Sequence, residues 1–305
     1  MTKHRRVSSA AMTLPEQHMD RSYGGVTVTA FRAVTGSFKA IARRLWLYAL
    51  VYSFVVAYAT VSCVHNLRSD VVSQATEPTS GDIIRCVVVL VLLLVTSVAL
   101  YGRIASLLGA GEERLMSYMV RSLKVHLFNI ALAVVVMALA VGAWIAVAKL
   151  DYLWIIYAVV LVAWLLLLPY IYVCVSYLVK GGRLRRLIID GYREGLRHYG
   201  FIFITWLLTG ITTSIVSLIV CLPMLVLLTA LGMAVGGAML GDPLNLPDYF
   251  YPLMYAVATV TYIILTAVVT YAFCVYYYMS GAIDTRTEER LKVKAGMSGQ
   301  SPTAE

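Results

Sequence analysis

Two sets of hydroxyl side chains recur at helical spacing inside otherwise apolar sequence. Thr205, Thr209, Thr213 and Ser217 stand four residues apart, and Thr259, Tyr262, Thr266 and Thr270 follow at steps of three and four. That spacing puts each set on one face of a helix. Such a face can line a narrow polar path or a groove for a lipid headgroup. It can also hydrogen-bond to its own backbone carbonyls where helices pack. The packing reading is the stronger, because small hydroxyl residues are ordinary interface residues in apolar helices.

Other residues that could do chemistry are isolated. Glu112-Glu113 offers two carboxylates for a metal or for acid–base work, but acids are also favoured at a helix start by the helix dipole. His126 and His198 hold matching places ahead of apolar runs, where a lone histidine anchors a helix end more often than it ligates. The chain contains no HExxH, no GxSxG and no phosphate loop of the Walker type. No catalytic set, metal site or cofactor is therefore expected. The five cysteines (Cys63, Cys86, Cys174, Cys221, Cys274) show no CxxC and lie in or at the ends of apolar runs, where they read as small hydrophobes.

The elements that carry these residues are long and apolar. Of 305 residues, 60% are hydrophobic and 13% charged, and charges vanish over spans long enough to cross a bilayer. Six such spans can be drawn, at 46–64, 84–102, 127–148, 152–179, 200–222 and 252–280. The central parts of all six lack ionisable carriers, which argues against a proton-coupled pump. The first 25 residues have no apolar core, so they are read as a polar, flexible tail without a cleavable signal. Its basic cluster is assigned to a membrane surface, with no nucleic-acid partner expected.

Charge then sets orientation. With six spans, 22 of the 25 Lys and Arg fall on one side, and only Arg68, Arg85 and Lys149 on the other. The positive-inside rule puts both termini in the cytoplasm. The 222–240 stretch extends the fifth span beyond one crossing. A seventh crossing would violate the charge rule, so this stretch is expected to kink at Pro223 and continue as a re-entrant or outward-lying segment. Its Gly232 and Gly236 form a GxxxG surface suited to close helix packing.

A repeat is also legible. The tetrapeptide EERL occurs at 112–115 and 288–291, and a related GRLRRL begins at Gly182. Three basic stretches ending in an aromatic, FKAIARRLW, VRSLKVHLF and REGLRHYGF, precede the outgoing spans. In the first, Phe31, Val34, Phe38, Ile41 and Leu45 form one apolar stripe beside Arg32, Lys39, Arg43 and Arg44, the pattern of a helix lying in the membrane interface. The later stretches follow more loosely, through Leu115, Met119, Leu123 and Leu127, then Leu184, Ile188, Tyr192 and Tyr199. The expectation is an all-α polytopic membrane protein: six transmembrane helices as three helical hairpins (26–108, 109–180, 181–283) with basic amphipathic interfacial helices, a tail over 1–25 and a cytoplasmic tail over 284–305. Trp144, Tyr152 and Trp154, with Tyr276, Tyr277 and Tyr278, are expected as interfacial girdles. The stretch from Gly241 to Pro252 is expected as a rigid outer loop.

The segment from Val26 to Leu50 resembles the start of the YciC-like group of bacterial six-span inner-membrane proteins. The membrane domain attached to some glycerophosphodiester phosphodiesterases has a similar layout. The likeness lies in Phe31-Arg32, the Gly36-to-Phe38 step, the basic pair Arg43-Arg44 and the span that follows. It implies a location in the bacterial cytoplasmic membrane and leaves function open. The reading that follows is non-enzymatic: a protein organising lipids or partner membrane proteins, with Lys39, Arg43, Arg44, Arg183, Arg185 and Arg186 drawing anionic lipids. The competing reading is a transporter or flippase that uses the hydroxyl faces.

Overall fold

The computed structural model describes residues 16–17, 19–73, 80–109, 114–147, 161–162, 165–182, 184–242 and 246–298. Among these residues the chain is all-α, with no strand. The helices are α1 (Tyr23–Gly36), α2 (Phe38–Ser73), α3 (Ser80–Leu108), α4 (Leu115–Val147), α5 (Leu168–Lys180), α6 (Leu184–Arg197), α7 (Tyr199–Met239) and α8 (Phe250–Ser298). In so apolar a chain the backbone has to satisfy itself, and helices do so within each segment. Local signals set several ends. Ser22 caps α1, its Oγ accepting from Gly25 N at 3.3 Å. Pro169 stands in the first turn of α5, and Gly181 ends that helix at φ 74°, a left-handed value that suits glycine.

Five helices are long and apolar enough to cross a membrane: α2, α3, α4, α7 and α8. The fourth expected span, 152–179, is described only from Leu161 on, where α5 is a thirteen-residue helix. The count of six spans is therefore not reproduced among the described residues. The molecule is a multi-pass helical membrane protein.

The packing falls into two cores. The larger joins Val26, Ile104, Tyr118, Val173, Ile202 and Tyr278, among others, at the end of the molecule where both described termini lie. The smaller holds Ala57 of α2, Met224 and Leu231 of α7, and Phe250, Met254 and Ala258 of α8, at the far end. Between them, α3 and α4 turn Val, Leu and Ile side chains outward, as helices facing lipid do. Two polar markers bound this zone. Arg103 Nε donates to the Arg44 carbonyl at 3.3 Å, and Asn66 and Arg85 line one far-end trough. The stretches of α2 and α3 between these markers rise about 27–33 Å at 1.5 Å per residue, close to the hydrocarbon thickness of a bilayer.

Several expectations are corrected. The stripe Phe31–Leu45 is not one helix: Ser37 ends α1, its N–H bonding to Ala33 O at 3.1 Å, and α2 begins at Phe38. Ile41 and Leu45 are buried, while Phe31 and Phe38 remain exposed. Nor does α1 lie flat in an interface. The Tyr23 ring meets Phe201 at 5.3 Å, and Val34 and Thr35 share a trough with Thr212, Thr213 and Val216. α1 therefore runs lengthwise along α7, burying Val26, Ala30 and Ala33. At the second entrance the basic stretch is the first turns of α4 itself. At the third it is a separate helix, α6, held against α5, where Gly195 admits Pro169 at a distance a side chain would block.

The 222–240 stretch is also different. α7 continues unbroken through Pro223 to Met239, 41 residues in all, with no re-entrant turn. Its first turns belong to the large core and its last to the far-end core, so the extra length is used at both ends of one crossing. Gly232 and Gly236 face open space, so the GxxxG surface packs on nothing among the described residues. The tail boundaries shift too. α1 starts at Tyr23, and the residues before it lie on α8, where Asp20 pairs with Arg286 at 2.7 Å. At the other end α8 continues helical to Ser298, into the expected tail.

Candidate functional site

The hydroxyl stripes are buried and largely self-satisfied. Thr209 Oγ1 donates to Thr205 O at 2.7 Å and Thr213 Oγ1 to Thr209 O at 2.7 Å. On α8, Thr259, Thr266 and Thr270 each donate to the carbonyl four residues back, at 2.8 Å. Tyr262 instead reaches across to α2, its hydroxyl 2.8 Å from Thr60 Oγ1. Thr205 is fully buried and its Oγ1 has no partner. Ser217 is half-buried.

Members of the two stripes open into different grooves. Thr266 and Thr270 line a groove of about 330 Å³ between α1, α2 and α8, walled by Phe38, Ile41, Leu45 and Trp46. Thr213 opens into a second trough of about 260 Å³ on a neighbouring face of α8, between α1, α7 and α8. Val34 and Ala267 are common to both and separate them. Among the described residues, Thr213 and the pair Thr266 and Thr270 line lateral, mainly apolar grooves rather than one common path. The sequence missed them because both depend on where α1 lies.

The cations are placed unevenly. Lys39, Arg43 and Arg44 are exposed on the first turns of α2. Arg103 joins them through the Arg44 carbonyl and lies 5.9 Å over the Tyr48 ring. Arg183 lies outside the described residues, and of Arg185 and Arg186 only their place in the first turn of α6 is described.

Ionisable groups at the termini end serve packing. Lys180 and Tyr172 of α5 both bind Asp284 of α8, the tyrosine at 2.8 Å. Arg286 holds Asp20, donates to the Arg21 carbonyl at 3.0 Å and stacks 4.3 Å over Phe201. Tyr277 and Tyr278, expected at a lipid girdle, are core residues instead, because α1, α5 and the segment before α1 pack around α8 there. Trp144, Tyr152 and Trp154 have no described side chains. His126 is tied to its own helix through Nδ1 and Ser122 O at 2.8 Å and packs on Tyr101. His198, between α6 and α7, has its pKa lowered, first by burial and then by Arg286, Arg290 and Arg197, with Glu194 opposing. Glu112 and Glu113 lie outside the described residues. The second EERL copy is interior to α8 whereas Arg114 of the first precedes α4, so the two copies are not structural equivalents. Among the described residues no three His, Cys, Asp or Glu side chains are grouped to hold a metal.

No family model, curated protein or solved structure matches this chain.

Proposed function

We propose that this protein is a non-enzymatic organiser of the bacterial cytoplasmic membrane that gathers anionic lipids, or a partner membrane protein, at its basic end. Both termini lie on the cytoplasmic side. Contact between the segment before α1 and the last helix, through Asp20 and Arg286, calls for an even number of crossings, and six meets that requirement. The observation that carries the reading is the group of exposed Lys39, Arg43 and Arg44 where α2 leaves the large core. Cations at that level meet lipid phosphates, each contributing about 1 kcal/mol near an anionic surface. The basic pair Arg43-Arg44 is also part of the resemblance to the entrance of YciC-like proteins.

The test neutralises Arg43, Arg44, Arg185 and Arg186 to Gln and measures association with vesicles containing phosphatidylglycerol. Binding is expected to fall by about tenfold or more and to lose much of its salt dependence. Unchanged association removes the lipid part of the proposal.

A transporter or flippase is the competing reading, favoured by Thr266 and Thr270 lining a groove open to the side. On that reading Thr209→Val and Thr266→Val cut lipid flux at unchanged protein abundance. Unaltered flux removes it.

A further inference from the structure

The trough between α1, α7 and α8 has a polar mouth that the hydroxyl stripes do not account for. Phe31, Thr35 and Tyr271 line both this trough and an adjoining cavity of about 310 Å³, which adds Thr27, Val28 and Arg32. The two adjoin at these three residues, as a channel along the side of the molecule. Positions 27, 28, 31, 32 and 35 share a face of α1, opposite the face that buries Val26, Ala30 and Ala33.

We infer that this channel is a site for one anionic phospholipid, its phosphate at Arg32 and Tyr271 and an acyl chain along Val34, Val216, Ile264 and Val268. The inference rests on the lipid-gathering reading above and names a defined site for it.

Charge complementarity selects the occupant. The Arg32 guanidinium is exposed and makes no hydrogen bond or ion pair among the described residues, and the Tyr271 phenol likewise has no partner among them. Thr27 and Thr35 hydroxyls already donate to Tyr23 O and Phe31 O, at 2.9 and 2.8 Å. Arg32 and Tyr271 are thus the donors left for a ligand, and a guanidinium with a phenol is a phosphate-binding pair. No carboxylate lines either cavity, so the ammonium of a zwitterionic headgroup gains no partner there. The floor beyond the mouth is apolar and opens sideways at the level of the membrane-crossing stretches, where an acyl chain is the neighbouring phase.

The experiment uses the full chain in nanodiscs of phosphatidylcholine with a minority of phosphatidylglycerol bearing the same acyl chains. Lipid retained after mild detergent release is counted by native mass spectrometry. Wild type should keep one phosphatidylglycerol. Arg32→Gln, which removes the cation, and Val216→Trp, which fills the trough, should each weaken retention about tenfold, as loss of a charged hydrogen bond or of the chain's seat requires. Lys124→Gln removes equal charge from an exposed site on α4 outside the channel and should change retention less than about twofold. Equal losses in Arg32→Gln and Lys124→Gln would mean attraction by delocalised charge, overturning the site while leaving the broader reading standing. Full retention by either Arg32→Gln or Val216→Trp also overturns the site. A wild type that retains phosphatidylglycerol no better than phosphatidylcholine sinks both.

Discussion

Thr205 carries a fully buried hydroxyl without a partner among the described residues, yet its carbonyl accepts from Thr209. The same side-chain type, four residues apart, is thus satisfied in one case and orphaned in the other. Spacing identified the face but not what each oxygen would find on it. His198 belongs to the same scale and supports a prediction. Its pKa is lowered from the usual 6.5, with burial the largest cause. The folded protein therefore resists protonation that the unfolded chain accepts. Stability is fully present above about pH 6.5 and falls as pH drops through the window toward the folded-state value. Melting temperature should decline from neutral to mildly acidic pH, and His198→Gln should flatten that decline. An equal decline in the variant would assign the pH dependence to other groups. The sequence marked His198 as a helix-end histidine; the arginines that surround it come from α6 and α8, and no local pattern announces them.

Helix packing turns on a few close approaches. A Cβ at Gly102 of α3 would meet Met119 Cα at 3.0 Å and its backbone N at 3.2 Å. Backbone cannot step aside as a side-chain tip can, so Gly102→Val should force α3 and α4 apart and cost about 1–3 kcal/mol. A thermal melt in detergent reads this directly, and an unshifted melting temperature would show that the two helices separate freely. At this scale the sequence was a good guide to which segments are helical and a poor one to their directions. The run Tyr276–Tyr278 shows why. Three aromatics closing an apolar stretch read alike whether they face headgroups or a core, and only the arrival of α1 and α5 buries Tyr277 and Tyr278. Pro223 is a similar case. It suggested a turn, but neighbouring helices hold α7 in register across it, as they commonly do in membrane proteins.

On the scale of the whole molecule, the two described ends of the chain are joined. Asp20 and Arg286, 266 positions apart, make both a hydrogen bond and an ion pair. Protease-cleavable tags at the two termini should therefore be cut from the same side of sealed vesicles, and on the proposed orientation that side is the cytoplasmic one. Tags cut from opposite sides would require an odd number of crossings and would break the Asp20–Arg286 contact. The same joined end gathers most of the buried residues, so the molecule is closed at its termini and spreads lipid-facing surface away from them.

The sequence by itself determined the class of this protein. Runs of apolar residues longer than a bilayer is thick admit helices and little else, because backbone groups in hydrocarbon must bond within their own segment. Charge distribution along the chain is likewise a one-dimensional property and could be counted directly. Tertiary structure decided the rest: the opening of Thr213 and of Thr266 and Thr270 into different grooves, the lengthwise seat of α1, and the channel at Arg32 and Tyr271. The channel joins residues more than two hundred positions apart. Lipid is as apolar as a packed helix, so hydrophobicity alone does not tell a lipid-facing side chain from a buried one. Only the packing of the helices against one another makes that distinction.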